Sequence, residues 1–316
     1  MQISDRMGRR MKLHDLHVLM AVVQVGSMSK AAALLNTTQP AISRSIAELE
    51  RTVGARLLDR NPHGVEPTEH GRVLLDGGAA VFDDLRQTIK NIEFLGDPTS
   101  GEVRIGSNPF LAASFVAAVV DRLSRRYPRI VIHLAAEQAE TLHRDLLDRK
   151  VDFLITRRWG PIADDRLSFE FLFDDPFVVA AGEQSPWARR RSVELAELVG
   201  ESWTLPPAGE IWSVATEAFR ARGLNYPRVS LFTVHRETRM SLLATGRFLT
   251  IFPASSLGFP QHPEIKVLPV ELSKVRMPIG IVTLKNRTLS PVARLFLDSA
   301  REVAKAPARR NSQLRK

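Results

Sequence analysis

Between residues 38 and 53, four apolar side chains, Ile42, Ile46, Leu49 and Val53, recur at intervals of 4, 3 and 4. That spacing returns to one face of an α-helix and predicts an amphipathic helix with a narrow apolar stripe. At about 100° per residue, Pro40, Arg44, Ala47 and Arg51 fall opposite the stripe, and Ser43 falls to its side. Thr38 precedes this helix and Gly54 stops it. Gln39 and Pro40 open it, where a proline forfeits no hydrogen bond. The outward face is therefore small and cationic.

Two helical patterns precede it. Leu16, Leu19, Met20 and Val23 fall at i, i+3, i+4 and i+7 and predict a helix over 13–25. A second begins after Ser27 or Ser29 as cap, and its three alanines allow close approach by another helix before Asn36-Thr37 breaks it. Helix, short turn and a second helix with a small cationic face make a helix-turn-helix over about 28–47. In such a unit the small residues let the backbone sit deep in a major groove. Gln39 can pair with adenine and Arg44 with guanine, with Ser43 beside them at the base edges. Ser27, Ser29, Thr38, Pro40 and Arg51 complete the candidate surface, and the free N–H groups of the first turn favour a phosphate. The plainer alternative is a solvated face carrying two arginines; the pattern is stronger than its parts. Leu57-Leu58 and Val65 then read as two short strands around a Pro/Gly turn, a wing whose Arg60, Asn61 and His63 could follow the backbone or enter the minor groove. A mere connector is the alternative.

Composition bounds this reading. The net charge of +9 suggests a polyanionic partner, but residues 301–316 hold six Lys and Arg against one Asp or Glu. Residues 1–65 hold nine against five, so shared faces argue more strongly than net charge. Without cysteine there is no disulfide framework, thiolate metal site or cysteine nucleophile, which fits a reducing, cytoplasmic setting. The basic start followed by apolar residues to Val25 can pass for a secretory signal. His14, Asp15, His17 and Gln24 interrupt it, and no later run is long enough to span a membrane. Patterned sequence begins at Met11, which could serve as an alternative start. The eight histidines show no metal-ligand spacing, and GxSxG, GxxxxGK[ST] and GxGxxG motifs are absent. Neither a metal, a cofactor nor catalysis is expected.

Thr68 can cap a fourth helix, in which Leu74, Val81, Leu85, Ile92 and Leu95 fit a seven-residue repeat with Gly78 and Thr88 at the remaining seam positions. This reads as an acidic dimerisation helix over 69–97; packing on its own domain is the alternative. Gly96-Asp97-Pro98-Thr99-Ser100-Gly101 is a hinge by composition. Beyond it strands at 102–107, 130–135 and 151–156 alternate with helices at 110–126 and 138–149, which implies a parallel sheet. Further strands at 168–173, 177–181, 202–205, 228–233, 248–252, 265–269 and 279–284, with helices at 192–198, 211–222, 236–245 and 290–304, suffice for two α/β lobes.

Taken together, Gly26-Ser27-Met28-Ser29-Lys30-Ala31-Ala32, Thr38-Gln39-Pro40-Ala41-Ile42-Ser43-Arg44, Val53-Gly54-Ala55-Arg56-Leu57-Leu58-Asp59-Arg60 and Pro67-Thr68-Glu69-His70-Gly71 resemble the LysR-type transcriptional regulators. The resemblance covers the first 71 residues at the family's spacing; Val18-Leu19 stands where family members usually carry an aromatic residue. Asp174-Asp175-Pro176-Phe177 to Arg191 and Trp203-Thr204-Leu205-Pro206-Pro207 more weakly resemble the family's effector domain. The resemblance implies a multidomain chain: an all-α winged helix-turn-helix over 11–68, a linker helix and hinge over 69–97, and a two-lobed α/β domain of the periplasmic-binding-protein type over 98–305. Lobe I would hold 98–165 and 270–305 and lobe II 166–269, with a basic disordered tail over 306–316. It further implies a homodimer or a dimer of dimers on inverted-repeat promoter DNA, with RNA polymerase as a further partner. An unknown small-molecule effector would lie between the lobes at the C-terminal ends of strands. That rule points to Ser107, Asn108, Thr156 and Arg157 in lobe I and Pro206, Thr233 and His235 in lobe II. Helix N-termini and Arg157 would suit an anionic or polyhydroxylated metabolite, whereas the Ser, Thr and Asn residues could equally be caps. An architectural DNA binder without ligand response, an enzyme with a DNA-binding appendage and an exported solute-binding protein are the other readings.

Overall fold

The computed structural model describes residues 11–61, 64–158, 164–258, 264–272 and 277–313, the side chains of Arg60, Glu210 and residues 306–313 excepted. The chain forms two compact units that divide between Ile89 and Lys90.

In the first unit the helices Leu13–Val25, Met28–Leu34 and Gln39–Val53 pack around Val18, Leu19, Val22, Met28, Ala31, Ile42, Ile46, Leu49 and Leu57. The first helix buries more of its circumference than the stripe predicts. Val18, Leu19 and Val22 are enclosed, while Met20 and Val23 are half-buried, because two helices and the wing meet it from different sides. Ser27, not Ser29, caps the second helix, accepting from Lys30 N at 3.4 Å. The turn after it passes through Asn36 at φ 51°, a left-handed conformation that asparagine tolerates better than most residues. Val53 does not join the core. It is the last residue before the left-handed Gly54, beyond the reach of the neighbouring helices, and is exposed.

Strands β1 (Leu58–Asn61) and β2 (Gly64–Pro67) pair antiparallel as the wing. Thr68 Oγ1 caps the long helix Glu69–Gly96, accepting from Gly71 N at 3.0 Å. The seven-residue repeat on that helix splits. Leu74 packs on the core of its own unit and Gly78 faces the Leu16 side chain, so this half of the expected seam is internal. Val81, Leu85, Ile92 and Leu95 are exposed.

The second unit holds two five-stranded sheets. In the first, β3 (Ser100–Ser107) lies between β4 (Arg129–Ala136) and β5 (Phe153–Arg157), all parallel as expected. The order continues to β12 (Pro278–Leu284), antiparallel to β5, and β6 (Leu167–Asp174), antiparallel to β12. The strand at 168–173 therefore belongs to lobe I, which corrects the expected boundary at 166. The chain changes lobe at Asp174-Asp175-Pro176, where β6 ends and β7 (Phe177–Gly182) starts the second sheet. That sheet runs β11 (Ile265–Val267), β7, β10 (Leu249–Pro253), β8 (Trp203–Leu205), β9 (Val229–Phe232). Strands β10, β8 and β9 are parallel, β7 is antiparallel to β10, and β11 is antiparallel to β7.

Helices fill both faces, with local departures from the predicted spans. Residues 109–126 form a single α-turn, a π-turn at Ala112–Val116 and the α-helix Ala117–Arg126. Residues 192–198 contribute only a 3-10 turn, Leu195–Leu198. The last helix runs Pro291–Gln313, so the expected disordered tail is helical through its first eight residues. Residues 314–316 lie outside the described residues.

Candidate nucleic-acid interface and ligand cleft

The Gln39–Val53 helix has two opposed faces. Ile42, Ile46 and Leu49 are buried, whereas Thr38, Gln39, Pro40, Arg44, Ala47 and Arg51 are exposed and Ser43 is half-exposed. Thr38 stands at the N-cap without a side-chain bond to the helix, so the hydroxyl makes no helix-capping bond. Ser29, the second residue of the preceding helix, is exposed, and Ser27, half-buried, is committed to its cap. The helix-turn-helix thus leaves Ser29, Thr38, Gln39, Pro40, Arg44 and Arg51 exposed and Ser43 half-exposed. In the wing, Asn61 is exposed; the Arg60 side chain and His63 lie outside the described residues.

Glu50, carrying no predicted role, fixes the wing to this helix. Its Oε1 accepts from Leu57 N at 2.8 Å and Leu58 N at 3.4 Å. From the other side Val65 N donates to Gly26 O at 3.0 Å. Gly64 permits that approach: a Cβ there would meet Gly26 O at 2.7 Å, and its φ of 139° also favours glycine.

In the second unit the lobe I candidates share the C-terminal ends of two neighbouring strands. Ser107 ends β3 and Asn108 follows it, and Thr156 and Arg157 end the adjacent β5. Pro206 and Thr233 likewise follow the adjacent β8 and β9. Much of this polarity is committed within the chain. The buried Ser107 Oγ donates to Ile155 O at 2.8 Å. Asn108 Oδ1 caps the following turn, accepting from Leu111 N at 3.0 Å, and Thr233 Oγ1 accepts from His235 N at 3.1 Å. Thr156 Oγ1 has a long contact of 3.5 Å to Arg157 O. Pro206 is buried and His235 exposed.

Arg157 departs furthest from expectation. It offers neither a free charge to a ligand nor a solvated one. Its Nη2 donates to Asp175 Oδ2 at 2.8 Å with both side chains buried, and its guanidinium lies 4.7 Å from the Phe177 ring centroid. Asp175 also accepts from Ser255 N and Ser255 Oγ, each at 2.8 Å. Burial pushes the Asp175 carboxyl above its ordinary value, against the pull of Arg157 and Ser255. These three residues join the end of β5, the lobe crossing and the segment after β10. Phe110 packs beside them, its ring 6.2 Å from that of Phe252.

Residues 13–72 match the bacterial regulatory helix-turn-helix proteins of the lysR family, and residues 96–305 match the LysR substrate binding domain. The chain belongs to the LysR family. It is a LysR-type transcriptional regulator with a substrate-binding domain of the family's kind. Relatives agree along most of its length. The transcriptional regulator GbpR of Azospirillum brasilense is 27% identical over 304 residues, covering 95% of this chain and 89% of its own. The SDS degradation transcriptional activation protein of a Pseudomonas species is 29% identical, covering 94% of this chain and 99% of its own. Full-length OxyR from Pseudomonas aeruginosa superposes with a TM-score of 0.63 at 19% identity, covering 93% of this chain and 97% of its own, which is a likeness of fold.

Within this LysR-family domain, sequence reasoning missed Asp175 and Ser255, whose roles arise from contacts across 80 residues. It also missed Arg239, which sits inside a predicted helix with no local sign that it is fully buried. Among the described residues no group of three or more His, Asp or Glu is arranged to hold a metal ion. No single described helix is long and apolar enough to cross a membrane; the first two helices pass that test only as a pair, bent by 116°.

Proposed function

We propose that this LysR-family regulator reads a major groove with the exposed face of the Gln39–Val53 helix and changes its hold on promoter DNA when a small molecule enters between its two lobes. The observation that carries the reading is the division of that helix. Its apolar stripe is buried, while Thr38, Gln39, Pro40, Arg44 and Arg51 are exposed and Ser43 is half-exposed; on this reading Gln39, Ser43 and Arg44 meet base edges and Thr38, Pro40 and Arg51 the backbone. A related family member, CbnR, has been solved in complex with its target DNA, with a TM-score of 0.52 and 93% of this chain covered. The wing residues Arg60, Asn61 and His63 add backbone or minor-groove contacts. In the second unit the effector lies at the strand ends carrying Ser107, Asn108, Thr156, Pro206, Thr233 and His235, with Arg157 shaping the cleft wall through Asp175. The regulator works as a homodimer or homotetramer in the cytoplasm, communicates with RNA polymerase, and senses its effector without turning it over.

Footprinting of the purified protein on the DNA upstream of its own gene, at fixed salt and with a panel of small acids and sugars, tests this. Protection of an inverted repeat that changes with one compound is the expected result. Protection no stronger than on scrambled DNA there, with no specific site elsewhere in a genome-wide selection, overturns it.

A further inference from the structure

Arg239 is fully buried, yet its charge is not answered. It lies on the helix Arg236–Ala244, which covers one face of the second sheet. Its Nε and Nη2 donate to Thr250 Oγ1 at 3.0 and 2.6 Å, and Nη2 also reaches Ile251 O. Its guanidinium sits 4.4 Å from the Phe252 ring centroid. These partners are a hydroxyl, a carbonyl and a π-face. No carboxylate among the described residues pairs with it, and Nη1 has no hydrogen-bond partner. Burial and the neighbouring Arg236 push the guanidinium down to about 9, so it still carries its charge at neutral pH. A buried cation left unpaired costs several kcal/mol as an order of magnitude, and arginine is retained in such places where an anion completes it.

Two further buried polar atoms without partners lie alongside. Strands β10 and β8 are parallel neighbours with Leu249 opposite Trp203, so Thr250 and Thr204 are side by side on the same face. Leu249, Ile251, Trp203 and Leu205 fill the opposite face. Thr250 Oγ1 passes its own proton to Thr204 O at 2.5 Å, which ties Arg239 to the Thr204 backbone, while Thr204 Oγ1 has no partner. Ser256, on the turn after β10, has a buried Oγ without a partner, and its carbonyl accepts from Arg236 Nη2 at 3.1 Å. Arg236 and Arg239 stand one turn apart on one helix. Phe110 of lobe I packs against Phe252 here, so the cluster borders the gap between the lobes.

We infer that Nη1 of Arg239, with the hydroxyls of Thr204 and Ser256, receives the acidic group of a small anionic ligand, a carboxylate or a phosphate, at the lobe II margin of the cleft. Arg239 Nη1 and the hydroxyls of Thr204 and Ser256 are buried donors without a resident acceptor, and an anion's oxygens supply that acceptor set. Arg239 thereby takes the part that the sequence suggests for Arg157. The inference rests on the reading of this domain as a ligand receiver and narrows the effector to an acid.

The test uses the full chain with sodium acetate and inorganic phosphate as probes, against sodium chloride at matched ionic strength, followed by thermal unfolding. One or both probes should raise Tm by about 2–4 °C at several times their Kd; which of them does so separates a carboxylate from a phosphate site. Arg239→Met should abolish that rise without lowering the starting Tm, because it removes an unpaired charge and keeps most of the volume. Ser256→Ala should weaken the probe about ten-fold and decides the matter if Arg239→Met fails to fold. No anion-specific rise in the unaltered chain, or a rise that survives these substitutions, overturns the inference. The regulatory reading is separable. A rise through Arg239 with no compound affecting operator binding keeps the anion site and removes its role in regulation. A compound that alters operator binding equally in the unaltered chain and Arg239→Met removes the anion site and keeps the regulation.

Discussion

Arg44 and Arg51 sit on the same exposed face of one helix, two turns apart, and their expected roles differ. Arg44 follows the open N-terminal turn beside Gln39 and Ser43, where a groove-bound helix is deepest. Arg44→Ala is expected to cost about 1–3 kcal/mol of specific binding, measured by titration on operator and on scrambled DNA. An equal loss on both would show that Arg44 touches only phosphate. At this scale the sequence is an uneven guide. The DNA face was legible because helical periodicity alone sorts inward from outward residues. Arg157 was legible as polar and placed at a strand end, but its answer in Asp175 was not, because the two meet only when the lobe crossing folds back on β5. Caps at Ser27, Thr68 and Asn108 could be read because each acts within three residues of itself.

The long helix Glu69–Gly96 carries a pair of glycines that the structure separates sharply. A Cβ on Gly77 would meet nothing within 4 Å, whereas one on Gly78 would lie 3.0–3.2 Å from three atoms of Leu16. Gly77→Ala should therefore stabilise the chain by about 0.5–1 kcal/mol through helix propensity alone. Gly78→Ala should gain less or lose, since Leu16 must move within a packed core. Urea unfolding of both variants checks this, and equal gains would mean that Leu16 yields freely. The same contact explains why the seven-residue repeat was only half informative. A heptad records which side of a helix is apolar, and two different neighbours can occupy successive stretches of that side.

Across the whole molecule, both domains and most strands were readable, because long alternation of strand and helix patterns survives in a single sequence. The lobe boundary was not. Strand β6 has the same local pattern wherever it pairs, and only its register with β12 assigns it to lobe I. Assembly is the matching prediction. Leu85 and Ile92 are exposed on the long helix, at 42% and 63%, an apolar surface that a second copy would cover. Leu85→Glu should reduce the particle mass in sedimentation and weaken binding to a paired operator site on the order of a hundred-fold, as the two readers lose their shared anchorage. Unchanged mass would place the contact elsewhere.

The chain passes between the lobes twice, once through Asp174-Asp175-Pro176 and again between β11 and β12. Two straps act like a door's pair of pins: they leave one easy rotation and resist twisting about any other axis. A ligand gripped far from the straps works on a long lever, and one gripped beside them on a short one. The buried Arg157–Asp175–Ser255 contact stands at one pin, so its substitution should alter the stiffness of the swing, whereas changes at the outer strand ends should alter how far the door travels.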